Sequence, residues 1–199
     1  MCGRTDGINV GFSSERFPAG THMCLVYRDE AERTRIASSF VESGIADGER
    51  VSYFADGATR AEVTDWLASL DVDVSDALNA QAFTVAEAAA TYCPDGTFVP
   101  ARMLETLKGA YESACREGYP ASRVTGEMSW ALRGLPGSEY LMDYEAQVNR
   151  VLETHPITAM CQYDANRFDG NTIFAALQVH PYMVMNGQLV KNPYYVLEE

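Results

Sequence analysis

The alternation of short apolar segments with segments of helical spacing is the feature that most constrains the fold of this chain. The apolar run at residues 23–27 precedes a helical pattern over 30–43, and Arg50–Ala55 precedes another over 60–70. The same order recurs in three further pairs, 82–86 with 101–117, 123–130 with 138–154, and 157–163 with 170–179. Strands that alternate with helices predict an α/β fold, with a mostly parallel central sheet and helices on both faces.

Both ends of the chain carry local predictions. An Asn186-Gly187 turn between the apolar stretches 182–185 and 188–190 predicts a C-terminal β-hairpin. Residues 1–18 show no strong periodicity and are predicted to be a flexible lead-in, so residues 19–199 are expected to form a single domain. Within that domain, Thr59 and Glu62 have the spacing of a helix capping box, and Gly44 is placed to end the first long helix.

The charge of the chain restricts its partners. Its 28 acidic and 15 basic residues give a formal net charge of −13. Direct contact with nucleic acid is not expected, because phosphate binding depends on clustered lysine and arginine. The sequence has neither an apolar run long enough to span a membrane nor an apolar segment after Arg4 typical of a secretion signal, so no membrane association is expected and the predicted location is cytoplasmic.

The turn after the first predicted strand lacks the sequence of a phosphate-binding loop. Nucleotide-binding α/β domains place a glycine-rich turn there, so that backbone amides can surround phosphate groups. Here Asp29, Glu30 and Glu32 follow the strand, and the chain contains no GxxxxGK[ST], GxGxxG or GxSxG motif. Carboxylates at a helix start suit the helix dipole but repel phosphate. We therefore predict that the chain is not an enzyme and assign no catalytic residue.

Two glutamates are candidate functional residues. Glu127 lies near the end of a predicted central strand, where a carboxylate needs a donor or a cation. It is interpreted as a buried anchor bonded to Arg123, a tyrosine or a backbone amide, with a ligand contact as the alternative. Glu145 lies in the middle of a predicted helix and is interpreted as part of its solvated face, again with ligand contact as the alternative.

A ligand pocket is expected beyond the carboxyl ends of the strands, where parallel α/β sheets bind their ligands. Apolar and aromatic side chains with a few directed polar groups are typical of small-molecule sites. The predicted pocket residues are His22, Tyr27, Glu127, Trp130, Tyr163 and His180.

A metal site is a separate hypothesis. The candidate zinc ligands are His22, Cys24, Cys161 and His180, of which only His22 and Cys24 have a short ligand spacing. These two are two residues apart on a strand and share one face, so this pair can converge. The alternative is that both cysteines are inert core thiols. The cofactor is not identified by the sequence.

A series of segments resembles one known family. They are His22-Met23-Cys24-Leu25-Val26-Tyr27, Gly126-Glu127-Met128-Ser129-Trp130, Tyr144-Glu145, Cys161-Gln162-Tyr163-Asp164, His180-Pro181 and Asn192-Pro193-Tyr194-Tyr195. In this order they resemble the MEDS domain, a methanogen/methylotroph sensory domain of the dichloromethane-regulator type, over about residues 19–196. The resemblance implies a RecA/KaiC-like core without a phosphate loop that recognises small, hydrocarbon-derived molecules.

The function implied by this resemblance is a sensory and regulatory one. The expected partners are a small-molecule ligand and a regulatory protein, namely a kinase, an anti-sigma factor or a transcription factor. Two alternatives stay open, a ligand-free module that docks a histidine-kinase or anti-sigma-type partner, and a haem- or zinc-based sensor. A homodimer and a place within a longer regulator also stay open.

Overall fold

A computed structural model describes residues 7–196 of the chain. Nine strands are present in this range: β1 (Ile8–Asn9), β2 (Arg16–Phe17), β3 (His22–Tyr27), β4 (Arg50–Ala55), β5 (Phe83–Glu87), β6 (Ser122–Glu127), β7 (Thr158–Asp164), β8 (Tyr182–Met185) and β9 (Gln188–Lys191). The α-helices of this range are α1 (Glu30–Ala46), α2 (Arg60–Ser69), α3 (Ser75–Asn79), α4 (Ala88–Tyr92), α5 (Pro100–Arg116), α6 (Leu141–Thr154) and α7 (Gly170–Val179). Two 3-10 helices, Met128–Arg133 and Ser138–Tyr140, connect β6 to α6.

The central sheet has seven strands in the order β5-β4-β6-β7-β3-β8-β9. Every neighbouring pair is parallel except the last, in which β8 and β9 form an antiparallel hairpin around Asn186 and Gly187. One apolar core packs α1 to α3 against one face, and a second packs α4 to α7 against the other. The predicted α/β architecture and the C-terminal hairpin are confirmed.

Of the two helix ends predicted from the sequence, the start of α2 is confirmed and the end of α1 lies elsewhere. Thr59 and Glu62 form the predicted capping box at the start of α2. Gly44, however, does not end α1, which continues to Ala46. A Cβ atom at Gly44 would lie 2.5 Å from Nε of Arg123, so this glycine is needed for the close approach of a buried side chain from β6. Tertiary packing, and not helix termination, explains Gly44.

The predicted lead-in contains part of the core. β1 and β2 pair with each other, and Ile8 and Val10 are fully buried in the first apolar core. Nη2 of Arg123 donates to the carbonyl oxygen of Asn9 at 3.2 Å and so attaches the hairpin to β6. Residues 8–17 therefore differ from the flexible segment expected, while residues 1–6 and 197–199 lie outside the described part.

The predicted strand over 123–130 is shorter than expected, because it ends at Glu127 and the chain then turns into a 3-10 helix. This turn carries Trp130 away from the sheet edge and into the second core. Across residues 7–196, none of the helices combines the length and apolar character needed to cross a membrane.

Candidate functional site

The carboxyl ends of the central strands are occupied by a buried polar cluster. We call Arg33, Tyr53, Glu127 and Gln162 the strand-end cluster. One oxygen of Glu127 accepts hydrogen bonds from Tyr53 Oη at 2.7 Å and from Arg33 Nη1 at 3.0 Å, and the other accepts from the backbone nitrogen of Asp56 at 2.8 Å. Burial raises the pKa of Glu127, although Arg33 and Tyr53 oppose the shift.

Glu127 is thus a buried anchor, which is the first of the two interpretations of this residue. The arginine with which it pairs, however, is Arg33 and not Arg123. Arg123, near the amino end of the same strand, instead pairs with Glu49, with 2.6 Å between its Nε and a carboxylate oxygen, and both side chains are fully buried. The sequence could not distinguish the two arginines because the choice depends on which helix crosses the strand ends.

Arg33 lies next to Tyr27, at the carboxyl end of β3. Its guanidinium carbon lies 5.8 Å from the ring centre of Tyr27 and 5.9 Å from that of Trp66, within the range of cation–π contacts. Its Nη2 atom is 2.6 Å from Glu30. At the start of α1, the side chain of Asp29 accepts a hydrogen bond from the Ala31 amide. A carboxylate of the chain itself therefore takes up an amide at the helix start, where a phosphate-binding loop would present its amides to a ligand.

A second buried cluster lies between the sheet and helices α6 and α7. We call His22, Glu145, Cys161 and His180 the inner cluster. They come from the start of β3, the middle of α6, the middle of β7 and the residue that ends α7. Four potential ligand atoms, one from each residue, all lie within 4.8 Å of one another, and all four residues are buried.

Hydrogen bonds fix the orientation of both imidazoles. Nδ1 of His180 donates to the carbonyl oxygen of Ala176 at 2.7 Å. Nδ1 of His22 lies 2.9 Å from Oδ1 of Asn149, whose amide nitrogen donates to Val179 and so leaves Oδ1 as the acceptor. Each ring consequently directs Nε2 at Glu145, at 3.2 Å for His22 and 3.6 Å for His180.

The electrostatics of the inner cluster follow from its complete burial. Burial and the neighbouring His22 lower the pKa of His180 to about 3, so its imidazole is neutral at neutral pH. Burial also raises the pKa of the Cys161 thiol well above 9.0. For Glu145, burial acts to raise the pKa, but the neighbouring His22 and His180 and the hydrogen bond from Tyr163 outweigh it and the pKa is lowered. Tyr163 Oη donates to Glu145 Oε1 at 2.9 Å.

The structure divides the six predicted pocket residues among three places. His22, Tyr163 and His180 meet at the inner cluster, whereas Tyr27 and Glu127 belong to the strand-end cluster. Trp130 is fully buried and stacks on Tyr92, with 4.8 Å between ring centres. A single pocket lined by all six does not form among the described residues.

The predicted metal ligands need one correction. His22, Cys161 and His180 converge as expected, but Cys24 does not join them, since its sulfur lies 3.7 Å from the carbonyl oxygen of Tyr182. Glu145 takes the fourth place and is fully buried, so its assignment to a solvated face was wrong. A signal for this existed, because Glu145 is four residues after Leu141 and three before Val148, both on the buried face of α6.

An open groove lies beside these clusters. We call it the α6–α7 groove, with a volume of about 460 Å³. It extends past the carboxyl ends of β6 and β7, and its lining includes Ala131, Leu132, Met142, Phe168, Thr172 and Ala175. The sequence did not predict these residues, because they lie on a 3-10 segment and on two helices that meet only in the folded chain.

The fold is shared with RecA/KaiC-like proteins. The flagellar accessory protein FlaH of Methanocaldococcus jannaschii superposes with a TM-score of 0.62 at 12% identity, over 88% of this chain and 77% of that one. The KaiC-like protein PH0186 of Pyrococcus horikoshii OT3 gives 0.64 at 14% identity, over 90% of this chain and 80% of that one. At these identities the likeness defines the fold alone.

The family is shown by the sequence. The model of the MEDS family, the methanogen/methylotroph, DcmR sensory domain, matches residues 21–181, and the chain belongs to this family. A curated relative, the transcriptional repressor DcmR of Methylorubrum extorquens, is 25% identical over 167 residues, which cover 80% of this chain and 57% of the repressor. The chain thus spans little more than half of that relative. Together these matches support a sensory and regulatory role.

Proposed function

We propose that this chain is a non-enzymatic sensory domain that binds a small, apolar organic molecule in the α6–α7 groove and passes the signal to a partner regulator. The observation that carries the proposal is the groove itself. Its position beyond the strand ends is where parallel α/β sheets bind ligands, and its volume of about 460 Å³ suits a small molecule.

The lining of the groove favours a small, mainly apolar ligand that carries a polar group. Its apolar surface includes Leu132, Met142, Phe168 and Ala175, and its polar side chains are Ser138, Glu139, Asn171 and Thr172. Short alcohols, amines and halogenated hydrocarbons combine a small apolar body with a polar group. The small size of such ligands limits the affinity that each can reach.

The elements that border the groove support the proposed relay to a partner. Helix α7 lines the groove and leads directly through His180 into β8 and the terminal hairpin. A ligand can shift α7 or the hairpin between two arrangements only by as much as its affinity for them differs. Phe174 of α7 and Tyr194 are both about half exposed, at 50% and 51%, and their ring centres are 6.1 Å apart. This aromatic pair is a surface at which a partner could detect such a shift.

The non-enzymatic part of the proposal is supported by the strand-end cluster. Asp29 caps α1, the helix that follows the turn in which a nucleotide-binding domain of this fold class places its phosphate loop, and Arg33 and Glu127 pair at the neighbouring strand ends. Saturable ATP affinity with hydrolysis, lost when residues 28–32 are altered, would overturn this part.

The ligand can be sought by thermal-shift and calorimetric screening with a panel of short alcohols, amines and halogenated hydrocarbons. A ligand at one hundred times its dissociation constant stabilises the fold by about 2.7 kcal/mol, or roughly 5–11 °C for a domain of this size. Ala175→Leu, which adds three carbon atoms to the lining of the groove, should abolish the shift.

Ala61→Leu on the exposed face of α2 is the matched control and should respond like the unaltered chain. Equal responses of both variants would place the ligand elsewhere. A complete absence of stabilising compounds would remove the ligand-binding part of the proposal.

Partner docking without a ligand is the second candidate, and the exposed Phe174–Tyr194 pair favours it. In that case a purified histidine-kinase or anti-sigma-type partner would bind equally well with and without the small molecule. Phe174→Ser would then weaken the complex while Ala175→Leu would not.

A further inference from the structure

We infer that the inner cluster binds one divalent transition-metal ion of the zinc class. The four ligands are Nε2 of His22, Nε2 of His180, one carboxylate oxygen of Glu145 and the sulfur of Cys161. This inference is independent of the α6–α7 groove and of any small-molecule ligand.

Four of the six distances between the donor atoms are those of a single tetrahedral ion. Oε2 of Glu145 lies 3.2 Å from Nε2 of His22, 3.6 Å from Nε2 of His180 and 3.4 Å from the sulfur of Cys161. The sulfur is 3.6 Å from Nε2 of His22. Metal–ligand bonds of about 2.0–2.3 Å at tetrahedral angles separate the ligand atoms by roughly 3.3–3.8 Å. No two donor atoms are more than 4.8 Å apart, so the side chains need to close by no more than about 1 Å to accept an ion.

The groups around the cluster match those that orient metal ligands. Metal-bound histidines almost always donate their other ring nitrogen to a carbonyl or carboxylate oxygen, which fixes the tautomer that coordinates. His180 donates to Ala176 in this way, and His22 does so to Asn149. The second oxygen of Glu145 accepts from Tyr163, so the carboxylate is held with one oxygen toward the ion.

An unpartnered nitrogen points separately to a ligand. Nε2 of His180 is buried and has no hydrogen-bond partner among residues 7–196. Its Nδ1 carries the proton, because it donates to Ala176, so Nε2 presents a lone pair to the centre of the cluster. A buried polar atom without a partner is costly and rare in folded proteins. Coordination of a cation satisfies this atom.

The charges of the cluster balance with a divalent ion. Cys161 is a free cysteine, and as a thiolate it contributes one negative charge beside the carboxylate of Glu145. Two negative ligands and two neutral imidazoles around a 2+ ion give a neutral unit, which suits complete burial. Binding releases the thiol proton to solvent.

The donor set selects the class of ion. One sulfur, two imidazole nitrogens and one carboxylate oxygen suit zinc, whereas magnesium and calcium prefer oxygen ligands alone. The four donor atoms within 4.8 Å fit one ion and leave no space for a porphyrin. An ion at this position would fasten α6 and the end of α7 to β3 and β7.

The test uses untagged protein, freed of metal with a chelator and titrated with Co²⁺ as the spectroscopic probe and then with Zn²⁺. We expect one equivalent of Co²⁺ to produce the visible bands of a tetrahedral site and the near-ultraviolet band of a cobalt–thiolate bond, and one equivalent of Zn²⁺ to remove both. X-ray absorption of the zinc form should show one sulfur and three nitrogen or oxygen ligands.

Cys161→Ser and Cys24→Ser form a matched pair, because the two buried cysteines are register partners on neighbouring strands. Cys161→Ser should lose the thiolate band and at least about 100-fold in affinity, since loss of even an orienting partner costs about 10–100-fold. Cys24→Ser should keep both the cobalt–thiolate band and the binding of one equivalent of metal.

The inference is overturned if the folded, unaltered protein binds neither ion at micromolar concentration, or binds one without a thiolate band. Loss of the band in Cys24→Ser but not in Cys161→Ser would also overturn it. If Cys161→Ser fails to fold, the spectrum and the absorption data of the unaltered protein still decide.

Discussion

Gly44 offers a sharp test of how tertiary packing overrides local preference. It lies inside α1, where alanine is favoured over glycine by about 1 kcal/mol. A Cβ atom at this position would lie 2.5 Å from Nε and 2.6 Å from Cδ of Arg123, and 2.8 Å from Cγ2 of Val51. These contacts are too short for any real side chain, so Gly44→Ala must displace the arginine.

Arg123 has little freedom to move. It is fully buried, pairs with Glu49 at 2.6 Å, and donates to the carbonyl oxygen of Phe40 at 2.8 Å and to Ser43 Oγ at 2.9 Å. Breaking a buried ion pair costs about 3–5 kcal/mol. After the gain in helix preference, we expect Gly44→Ala to lower the free energy of unfolding by about 2–4 kcal/mol.

Gly109→Ala is the matched control, because Gly109 lies inside α5 and a Cβ atom there would meet nothing within 4 Å. That variant should raise the free energy of unfolding by about 0.4–1 kcal/mol. Urea unfolding followed by circular dichroism gives both values. If Gly44→Ala stabilised the protein as Gly109→Ala does, the close packing of Arg123 against α1 would be refuted.

Two further predictions concern the strand-end cluster and the N-terminal hairpin. Burial raises the pKa of Glu127, so the folded protein holds this proton more tightly than the unfolded chain does. As pH rises above 4.5, the ordinary pKa of a glutamate, the unaltered protein should therefore lose stability relative to the Glu127→Gln variant. Urea unfolding of both proteins between acidic and neutral pH measures this difference, and an increase with pH would contradict the prediction. Ile8→Ala, at a fully buried position, should cost about 2–5 kcal/mol, whereas Leu70→Ala, 41% exposed, should change stability by about 0.5 kcal/mol or less. Equal small effects in chemical unfolding would show that the hairpin is not part of the core.

The candidate sites were predicted in part. The residue types of the inner cluster were recognisable, because histidines and cysteines are the usual zinc ligands and His22, Cys161 and His180 do converge. Cys24 does not join the cluster and Glu145 takes that place, because alternation along β3 says which face Cys24 occupies but not which helix covers it. Glu145 comes from α6, whose packing against β7 no local pattern specifies.

The strand-end cluster shows the same limit. A carboxylate at the end of a buried strand must have a partner, and the sequence established that requirement for Glu127. The partner is Arg33, which is 94 residues away along the chain. Only the packing of α1 over the strand ends decides that this arginine, and not Arg123, is within reach.

What the sequence determined by itself is the set of elements and their order. Local physics suffices for this, because apolar runs, the Thr59 cap and the Asn186-Gly187 turn act over a few residues. Only the tertiary structure decided which polar side chains meet, since residues 22, 145, 161 and 180 come together through strand pairing and helix packing over long separations. Such contacts depend on the whole fold, and a pattern of neighbouring residues carries no record of them.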